Sequence, residues 1–204
     1  MSSHRLPTDT DNGLLLIISG PSGVGKTTIT KGVERAIPGA IYSVSHTTRP
    51  PTPKEVEGVD YHFVSDEEFE RSRAAGHFLE SAGVYGKKYG TPRAPVEEHL
   101  RRGRLMILEI DVQGAIQVKK KMPEAFGVYI LPPSDEELLR RLRDRKREDA
   151  AKIKQRFDAA KAEIAEAKSC GVYDVFIVND NLEHTIKTAV DRVNQERTRR
   201  TRER

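Results

Sequence analysis

The residues most clearly suited to chemistry are the glycines, lysine and threonines of SGPSGVGKTT, residues 19–28. Residues 20–27 match the phosphate-loop pattern G-x-x-x-x-G-K-[ST] at every fixed position. In such a loop the glycines let successive backbone N–H groups point at phosphate oxygens, and the positive end of the following helix adds to the attraction. Lys26 reaches the β- and γ-phosphates in this arrangement, and the Thr27 hydroxyl is offered to Mg²⁺. The segment therefore predicts a site for nucleotide phosphates.

A second cluster of charge lies in PSDEELLRRLRDRKRED, residues 133–149, where six cations fall within eight positions. Such cations repel one another unless an anion lies among them. Beside a phosphate loop, the cluster favours a lid whose arginines neutralise a phosphoryl group during transfer, although a solvated basic helix face is the alternative. The six are Arg140, Arg141, Arg143, Arg145, Lys146 and Arg147.

The segment before the phosphate loop, LLLII at 14–18, is short, continuously apolar and bounded by turn residues. This pattern is typical of a strand that is buried on both faces of a parallel sheet. A helix is predicted from about residue 25 to 37, where Pro38 and Gly39 stop it. Strand, glycine loop and helix in this order are the context that the phosphate-loop motif requires.

Strand and helix patterns alternate through most of the remaining chain, which predicts a doubly wound parallel sheet. The fold class is therefore α/β, a three-layer P-loop fold in which a parallel sheet is flanked by helices. Ser134 and Glu137 form a capping box at the start of one helix. The predicted strands are 104–111, 127–133 and 173–180, and the predicted helices are 95–102, 112–121, 134–146, 150–169 and 182–199.

Residues 44–93 interrupt this alternation. They contain two short aromatic stretches, DYHFV and GHFLESAGVYGKKYG, on either side of a short helix that opens at Ser65 with Glu68 three positions later. We interpret the segment as a small mixed α+β insertion that covers the edge of the phosphate loop.

Composition limits the class of protein and of partner. The chain has 204 residues, enough for one compact domain, and its 35 Lys and Arg against 31 Asp and Glu leave a net charge of +4. This mild excess suits an anionic small ligand as well as nucleic acid. The single cysteine, Cys170, rules out a disulfide within the chain and fits a reducing cytoplasm. Residues 1–12 do not read as a signal peptide, and the tail at 195–204, with five arginines, is predicted to be a solvated, fraying helix end.

A bound nucleotide could serve a GTPase, an ATPase motor or a kinase. The sequence has no N-K-x-D motif, by which a GTPase usually reads guanine. A kinase for small molecules needs an acceptor pocket, a mobile arginine-bearing lid and a means of excluding water. The insertion is the segment available for the acceptor pocket.

Several motifs, in order along the chain, resemble those of guanylate kinases. Each alone is weakly specific, but together they run from about residue 14 to 195, which is nearly the whole chain. Besides the phosphate loop, they are SVSHTTRPPTPKEVEGVDYHFV (43–64), FLE (78–80), KYGT (88–91), LEIDVQGA (108–115), ILPPS (130–134) and VND (178–180).

The resemblance implies that ATP and GMP, with dGMP as a further acceptor, are converted to ADP and a guanosine diphosphate in purine nucleotide metabolism. It implies a protein whose core, insertion and lid close on the substrates. The expected boundaries are a P-loop core at 13–43, 94–139 and 157–198, a GMP-binding insertion at 44–93, a helical lid at 140–156, and flexible termini at 1–12 and 199–204.

The resemblance also implies the residues that hold GMP. Arg49, Tyr61 and Tyr89 are expected to bind its phosphate. Glu80 is expected to read the guanine edge. The remaining members of the site are expected around the base, with Ser45 and Thr91 on the O6 side and Glu109 or Asp111 near the amino group.

The expected ATP site and catalytic residues follow from the same resemblance. The ATP-binding residues are Gly20, Pro21, Ser22, Gly23, Val24, Gly25, Lys26, Thr27, Thr28 and Asn179. The residues expected to take part in transfer are Lys26, Arg49, Arg141, Arg145 and Arg156, with the last three clasping the phosphoryl group.

The chemistry of Glu80 agrees with its expected role. Guanine presents N1–H and its 2-amino group side by side, and a carboxylate can accept a hydrogen bond from each. Adenine presents a lone pair at N1 and has no 2-amino group, so the same carboxylate would be left unpaired. A mismatch of this kind can lower kcat/KM for an analogue by a factor of ~10⁴.

Mg²⁺ with ATP is the only cofactor expected, bound by Thr27 and mostly by nucleotide phosphates and water. No structural zinc is expected, because the histidines do not pair with cysteine at metal-binding spacing. ATP and GMP are the expected partners, with no nucleic acid and no membrane, in a cytoplasmic monomer or homo-oligomer. No general base is assigned, because a phosphate monoester with a second pKa of about 6 is already largely deprotonated at neutral pH.

Two positions depart from the family pattern. Thr52 stands where the family commonly has an arginine that binds phosphate, and Lys146 stands where the lid usually has glycine. Lys54, two residues further along the same proline-rich loop, either replaces the missing cation in part or is solvated.

Two other functions stay open beside the kinase. One is a guanylate-kinase-like binding module that recognises phosphorylated partners without catalysis, against which the intact phosphate loop and the arginine-rich lid argue. The other is a related kinase for another phosphorylated acceptor, against which Glu80 and Ser45 argue.

Overall fold

The computed structural model describes residues 13–84, 86–144 and 150–203, which form nine strands and seven helices. The strands are β1 (Leu14–Ser19), β2 (Ile41–Tyr42), β3 (His46–Thr47), β4 (His62–Phe63), β5 (Phe78–Val84), β6 (Lys87–Pro92), β7 (Leu105–Glu109), β8 (Phe126–Leu131) and β9 (Val175–Val178). The helices are α1 (Lys26–Ala36), α2 (Asp66–Ala74), α3 (Arg93–Arg101), α4 (Val112–Lys121), α5 (Asp135–Asp144), α6 (Ala150–Ser169) and α7 (Leu182–Arg202).

The central sheet has the strand order β2-β7-β1-β8-β9, and each neighbouring pair is parallel. Its middle strand, β1, is buried at every position. Leu14, Leu16 and Ile18 pack against residues of α1 and α7. Leu15 and Ile17 face the opposite way and pack against residues of α3 and α4. Helices on both faces explain why this strand is continuously apolar, and the arrangement confirms the predicted α/β class.

The carboxyl ends of β1, β7 and β8 lie side by side, with Ile18 in register with Glu109 and Ser19 with Tyr129. The phosphate loop leaves the sheet at this edge, and so does the segment that leads into α4. In open α/β sheets this edge is where ligands bind.

A second sheet lies wholly within residues 44–93 and has the order β4-β3-β6-β5. β3 and β4 are parallel, whereas the other pairs are antiparallel. Helix α2 packs on this sheet through Phe69, whose ring centroid lies 4.7 Å from that of Phe78. The Ser65 hydroxyl accepts the Glu68 N–H at 3.1 Å, which confirms the predicted start of this helix. The segment is therefore a mixed α+β unit, as predicted.

Helix α5 begins after Ser134, whose hydroxyl accepts the Glu137 N–H at 3.2 Å. Leu138 and Leu142 of α5 form an apolar cluster with Ala160 of α6. The helices predicted at 112–121 and 150–169 have those bounds, and the other predicted ends that fall on described residues lie within three residues of those in the structure. The predicted lid residue Arg145, together with Lys146 and Arg147, lies outside the described residues.

The C-terminal helix corrects one expectation. Helix α7 continues to Arg202, beyond the predicted end at residue 199, within the tail that was expected to be a solvated, fraying helix end. The Arg200 guanidinium donates to Glu196 and to the backbone oxygen of Glu124, in the connection between α4 and β8. The Glu124 oxygen gives the last turn a partner outside its own helix. No helix among the described residues has the length and apolar character needed to cross a membrane.

Candidate active site

The phosphate loop, residues 20–27, depends on its glycines. Gly20, Gly23 and Gly25 have φ values of 153°, 91° and 97°, which L-residues with side chains rarely adopt. A Cβ on Gly20 would also lie only 2.5 Å from the backbone oxygen of Ile130. Gly25 is the N-cap of α1 and offers no side chain to the first-turn N–H groups. These N–H groups, at the positive end of the helix, are suited to an anion.

Lys26 is folded onto the loop itself. Its ammonium group donates to the backbone oxygens of Gly20 at 2.5 Å and of Pro21 at 3.2 Å. A phosphate would have to draw the ammonium away from these carbonyl groups, which a flexible four-carbon side chain permits. Thr28, in the first turn of α1, is exposed.

Three expected residues from distant parts of the chain meet at the phosphate loop. The Asn179 side chain donates to the backbone oxygen of Val24 at 2.7 Å. The Arg141 guanidinium donates to the backbone oxygen of Asn179 at 3.0 Å, and Arg156 donates to the Ser22 hydroxyl. The fold thus brings Arg141 and Arg156 to the place where nucleotide phosphates would lie.

The described part of the arginine cluster supplies its own counter-ions, which corrects the argument that these cations need an external anion. Glu137 accepts from Arg140 and from Arg141 at 2.7 Å in each case, and Asp144 accepts from Arg140 at 2.8 Å. The hydrogen bonds from Arg140 and Arg141 hold the pKa of Glu137 at about 2. Helical spacings of three and four residues place these partners together.

Thr27 and Glu109 form an oxygen-rich pair beside the loop. The Thr27 hydroxyl donates to Glu109 Oε1 at 2.8 Å. The other carboxylate oxygen, Oε2, is buried and has no hydrogen-bond partner among the described residues. Carboxylate and hydroxyl oxygens are the donors that Mg²⁺ prefers, so this pair fits the expected metal.

A cleft of about 510 Å³, called the acceptor cleft below, opens between the phosphate loop, the second sheet and α6. Several expected site residues line it: Ser22, Lys26, Ser45, Tyr61, Glu80, Tyr89, Glu109 and Asp111. Thr91 and Arg49 do not line it, and each instead contacts a residue at its edge. Thr91 is fully buried and contacts Glu80, while Arg49 lies near Tyr61.

Glu80 is a buried carboxylate, with only 4% of its surface exposed. Its Oε1 accepts the backbone N–H of Thr91 at 3.0 Å and the Thr91 hydroxyl at 2.6 Å. Its Oε2 accepts no hydrogen bond from the described residues, and a Cβ on Gly114 would lie 2.8 Å from it. Burial raises the pKa of Glu80 to about 7, against the opposing effect of Thr91. One oxygen is therefore fixed and the other is left for a ligand.

Tyrosines form the wall next to Arg49. The rings of Tyr61 and Tyr89 meet edge to face, with centroids 5.8 Å apart. The Arg49 guanidinium carbon lies 5.3 Å from the centroid of the Tyr61 ring. Burial, together with the charge of Glu109, raises the pKa of Tyr61 to about 12, so its hydroxyl stays protonated and can donate. Thr52 and Lys54 are exposed in the adjoining loop.

Asp111 has a structural partner as well as a place in the cleft. It is the N-cap of α4, and its Oδ1 accepts the Gly114 N–H at 2.8 Å. This hydrogen bond satisfies a first-turn donor of the helix and fixes the carboxylate near Glu80.

The sequence patterns missed several residues that line the cleft, among them Tyr42 and Glu163. Tyr42 ends β2, and burial raises its pKa. Glu163 lies on α6, and burial raises its pKa to about 7 against the opposing charge of Lys26. The short apolar segment before Tyr42 could have indicated a strand that ends at the ligand edge, whereas nothing local marks Glu163 within a charged helix.

The sequence is similar to those of known proteins over nearly its whole length. A family model described as guanylate kinase matches residues 12–196. The chain is 46% identical over 200 residues to the guanylate kinase of Anaeromyxobacter dehalogenans, covering 98% of this chain and 88% of that protein. It is 48% identical over 168 residues to the guanylate kinase of Thermobifida fusca, covering 82% and 84%.

Solved structures give the same comparison in three dimensions. The crystal structure of guanylate kinase from Anaplasma phagocytophilum matches with a TM-score of 0.74 and 33% identity, over 93% of this chain and 89% of that one. A gluconokinase from Sinorhizobium meliloti matches with a TM-score of 0.50 and 14% identity, over 93% and 94%. The second likeness concerns the fold alone, so the acceptor has to be argued from the site.

Proposed function

The chain belongs to the guanylate kinase family, and we propose that it transfers the γ-phosphoryl group of ATP to GMP, which yields ADP and GDP. The observation that carries this proposal is a single cleft lined both by Lys26 of the phosphate loop and by the buried carboxylate of Glu80. The first is suited to a nucleoside triphosphate and the second to guanine. dGMP is a second acceptor in this proposal.

In this proposal the phosphate loop holds ATP through its backbone N–H groups, and Asn179 supports the loop by its bond to Val24. Lys26 leaves the carbonyl groups of Gly20 and Pro21 and follows the charge between the β- and γ-phosphates. Because the acceptor phosphate is already largely ionised at neutral pH, positioning and charge neutralisation drive the in-line transfer.

Thr27 and Glu109 would hold Mg²⁺, together with nucleotide phosphates and water. The unpartnered Oε2 of Glu109 supports this assignment. The metal would neutralise charge on the β- and γ-phosphates of ATP. Glu109 therefore acts at the metal in this proposal, while Asp111, fixed by the Gly114 N–H, lies near the guanine amino group.

Glu80 would read guanine. Thr91 occupies Oε1, so Oε2 and the cleft-facing lone pairs are available to N1–H and the 2-amino group. Thr91 thus acts by orienting Glu80, and Ser45 is the residue left to face O6 in the cleft. Tyr61 and Tyr89 would donate to the acceptor phosphate, with Arg49 beside them as the cation.

Arg141 and Arg156 would clasp the transferring phosphoryl group, because both already contact the phosphate-loop region. Arg145 is proposed for the same role from the family resemblance. The division into a P-loop core, a GMP-binding insertion and a lid, with cytoplasmic purine nucleotide metabolism as the setting, belongs to the same proposal.

A coupled assay of ADP release tests the function, with ATP as donor and GMP, dGMP, AMP, UMP, CMP and dTMP in parallel. The expected result is turnover with GMP and, less well, with dGMP, at a kcat/KM that exceeds that for AMP by roughly 10³ or more. Equal rates with AMP and GMP would contradict the proposal. So would ADP release with GMP that does not exceed the background measured when no acceptor is added.

A further inference from the structure

Glu55, to which the expected site assigns no role, forms a paired contact with Arg49. Its two carboxylate oxygens accept from the two terminal nitrogens of the guanidinium, Oε1 from Nη2 at 2.6 Å and Oε2 from Nη1 at 2.9 Å. Two parallel hydrogen bonds of this kind fix the orientation of an arginine side chain as well as its position.

The loop that carries both residues closes around this pair. Glu55 Oε2 also accepts the backbone N–H of Thr52 at 2.7 Å, and the Glu55 N–H donates to the backbone oxygen of Thr52 at 3.0 Å. Arg49 Nη1 donates in addition to the oxygen of Pro50 at 2.8 Å. The carboxylate therefore joins the guanidinium to the backbone of residues 50–55.

The pair is largely shielded from water, with side-chain exposures of 25% for Arg49 and 21% for Glu55. The hydrogen bond from Arg49 holds the pKa of Glu55 at about 2, so the carboxylate stays charged at any physiological pH. A permanently charged, bidentate and half-buried pair differs from the exposed ion pairs elsewhere on the surface, which contribute little.

The pair leaves part of the guanidinium available at the acceptor cleft. Of its five N–H groups, the bonds to Glu55 and Pro50 use three. The guanidinium carbon lies 5.3 Å from the ring centroid of Tyr61, which lines the cleft. The Tyr89 hydroxyl, on the same wall, also interacts with Arg49. The remaining donors are thus on a group that is held beside the two tyrosines.

We infer that Glu55 is a positioning residue, which holds Arg49 against Tyr61 so that the unused guanidinium N–H groups meet the phosphate of the acceptor. This inference rests on the proposed function, because it takes GMP as the acceptor. It also means that the phosphate binds beside Glu55 without displacing it. The opposite arrangement, in which Glu55 competes with the phosphate for Arg49, predicts a change of opposite sign.

The test is a double-mutant cycle of Glu55→Gln and Arg49→Ala, with KM for GMP, KM for ATP and kcat measured for each protein. Glutamine keeps the shape and one acceptor of Glu55 but loses the charge. Glu55→Gln should raise KM for GMP about 10-fold or more and leave KM for ATP within about twofold. In the Arg49→Ala background the same change should have almost no effect, because Arg49 is the group through which Glu55 acts.

Glu57→Gln is the matched control. Glu57 lies in the same loop, binds the backbone N–H of Phe63 and the ring of His62, and has no contact with Arg49 among the described residues. It should leave KM for GMP within about twofold. Thermal unfolding of each variant identifies any that fail to fold, and equilibrium titration of GMP into folded Glu55→Gln then measures the same loss directly.

Two results would overturn the inference. One is an unchanged or lower KM for GMP in Glu55→Gln, the latter meaning competition for Arg49. The other is a full effect that persists without Arg49, which would mean that Glu55 acts through the loop alone. Either result would be obtained with the variants while the wild-type enzyme phosphorylates GMP. It would therefore be distinct from failure of the proposed function, in which the wild-type enzyme itself would not phosphorylate GMP.

Discussion

In the proposed function, the phosphate loop and the region around Glu80, called the guanine-reading region below, recognise their ligands by different means. The loop would use the backbone N–H groups of residues 20–27 other than Pro21, and its three glycines have positive φ. The region around Glu80 would use a buried carboxyl side chain, whose Oε1 accepts two hydrogen bonds from Thr91 and whose Oε2 lies close to Gly114. One region is thus built locally and the other by tertiary contacts.

This difference has a consequence for stability. Backbone N–H groups carry no formal charge, so they add no buried charge when the phosphate loop is empty. Glu80 lies in a site where burial raises its pKa to about 7, so its ionised form is disfavoured when no guanine donor is present. The ionised Glu80 carboxylate is therefore expected to destabilise the free protein, whereas the backbone N–H groups of the phosphate loop are not.

Replacing Lys26 should give the largest effect that is confined to one of the two regions. Lys26→Ala should lower kcat by about 10³, because it removes a focused charge from the transition state, while KM for GMP changes little. Steady-state kinetics with ATP and GMP measures both values.

Lys31→Ala is the control for that change. Lys31 lies on the same helix, is 45% exposed and pairs with Asp60 at 3.6 Å, so its loss should change kcat by less than about twofold. Near-normal turnover in folded Lys26→Ala protein would show that the phosphate loop does not drive the chemistry.

Adding one methyl group at Gly114 should disturb only the guanine-reading region. A Cβ there would lie 2.8 Å from Glu80 Oε2, so the carboxylate has to shift. Gly114→Ala should therefore lower kcat/KM for GMP about 10- to 100-fold, with KM for ATP unchanged. In a Glu80→Ala background the same substitution should cause no further loss, and an equal loss there would mean that Gly114 acts independently of Glu80.

The smallest expected effect is on stability as a function of pH. The pKa of Glu80 rises from 4.5 to about 7 on folding, so the folded protein binds more protons than the unfolded chain between these values. Stability should then fall as pH rises from about 4.5 to 7, and Glu163, with its pKa also raised to about 7, adds to the trend.

Glu80→Gln should remove the contribution of Glu80 to this trend. Relative to wild type, the variant should gain about 1–3 kcal/mol of unfolding free energy between pH 5 and pH 8. Urea unfolding at each pH measures this, and Glu124→Gln, at an exposed position, should follow the wild-type profile. Parallel profiles for wild type and Glu80→Gln would mean that the Glu80 charge is not buried in the free protein.

The features that could be predicted from the sequence are those built by local residues, as the phosphate loop is. The phosphate loop, the strand before it and the helix starts at Ser65 and Ser134 each depend on residues within about one turn or strand, so local patterns identified them. The pairing of Arg141 with Glu137 is also local, and the spacing of four residues could have predicted it.

Contacts between distant segments could not be predicted in this way. Glu163 belongs to a charged helix, and only the packing of α6 beside the cleft makes it a half-buried carboxylate. Arg200 finds its acceptor on Glu124 because α7 passes the connection after α4. The orientation of Glu80 by Thr91 depends on the pairing of β5 with β6. No local pattern carries that information.

The most direct test of the account is the ratio of kcat/KM for GMP to that for AMP, measured in wild type and in Glu80→Gln. The central claim is that a buried carboxylate selects guanine while the phosphate loop performs the transfer. The expected result is a ratio that falls by about 10² or more in Glu80→Gln, since one acceptor becomes a donor, while KM for ATP stays within about twofold. An unchanged ratio in a folded variant would contradict the claim, because Glu80 would then not read the base.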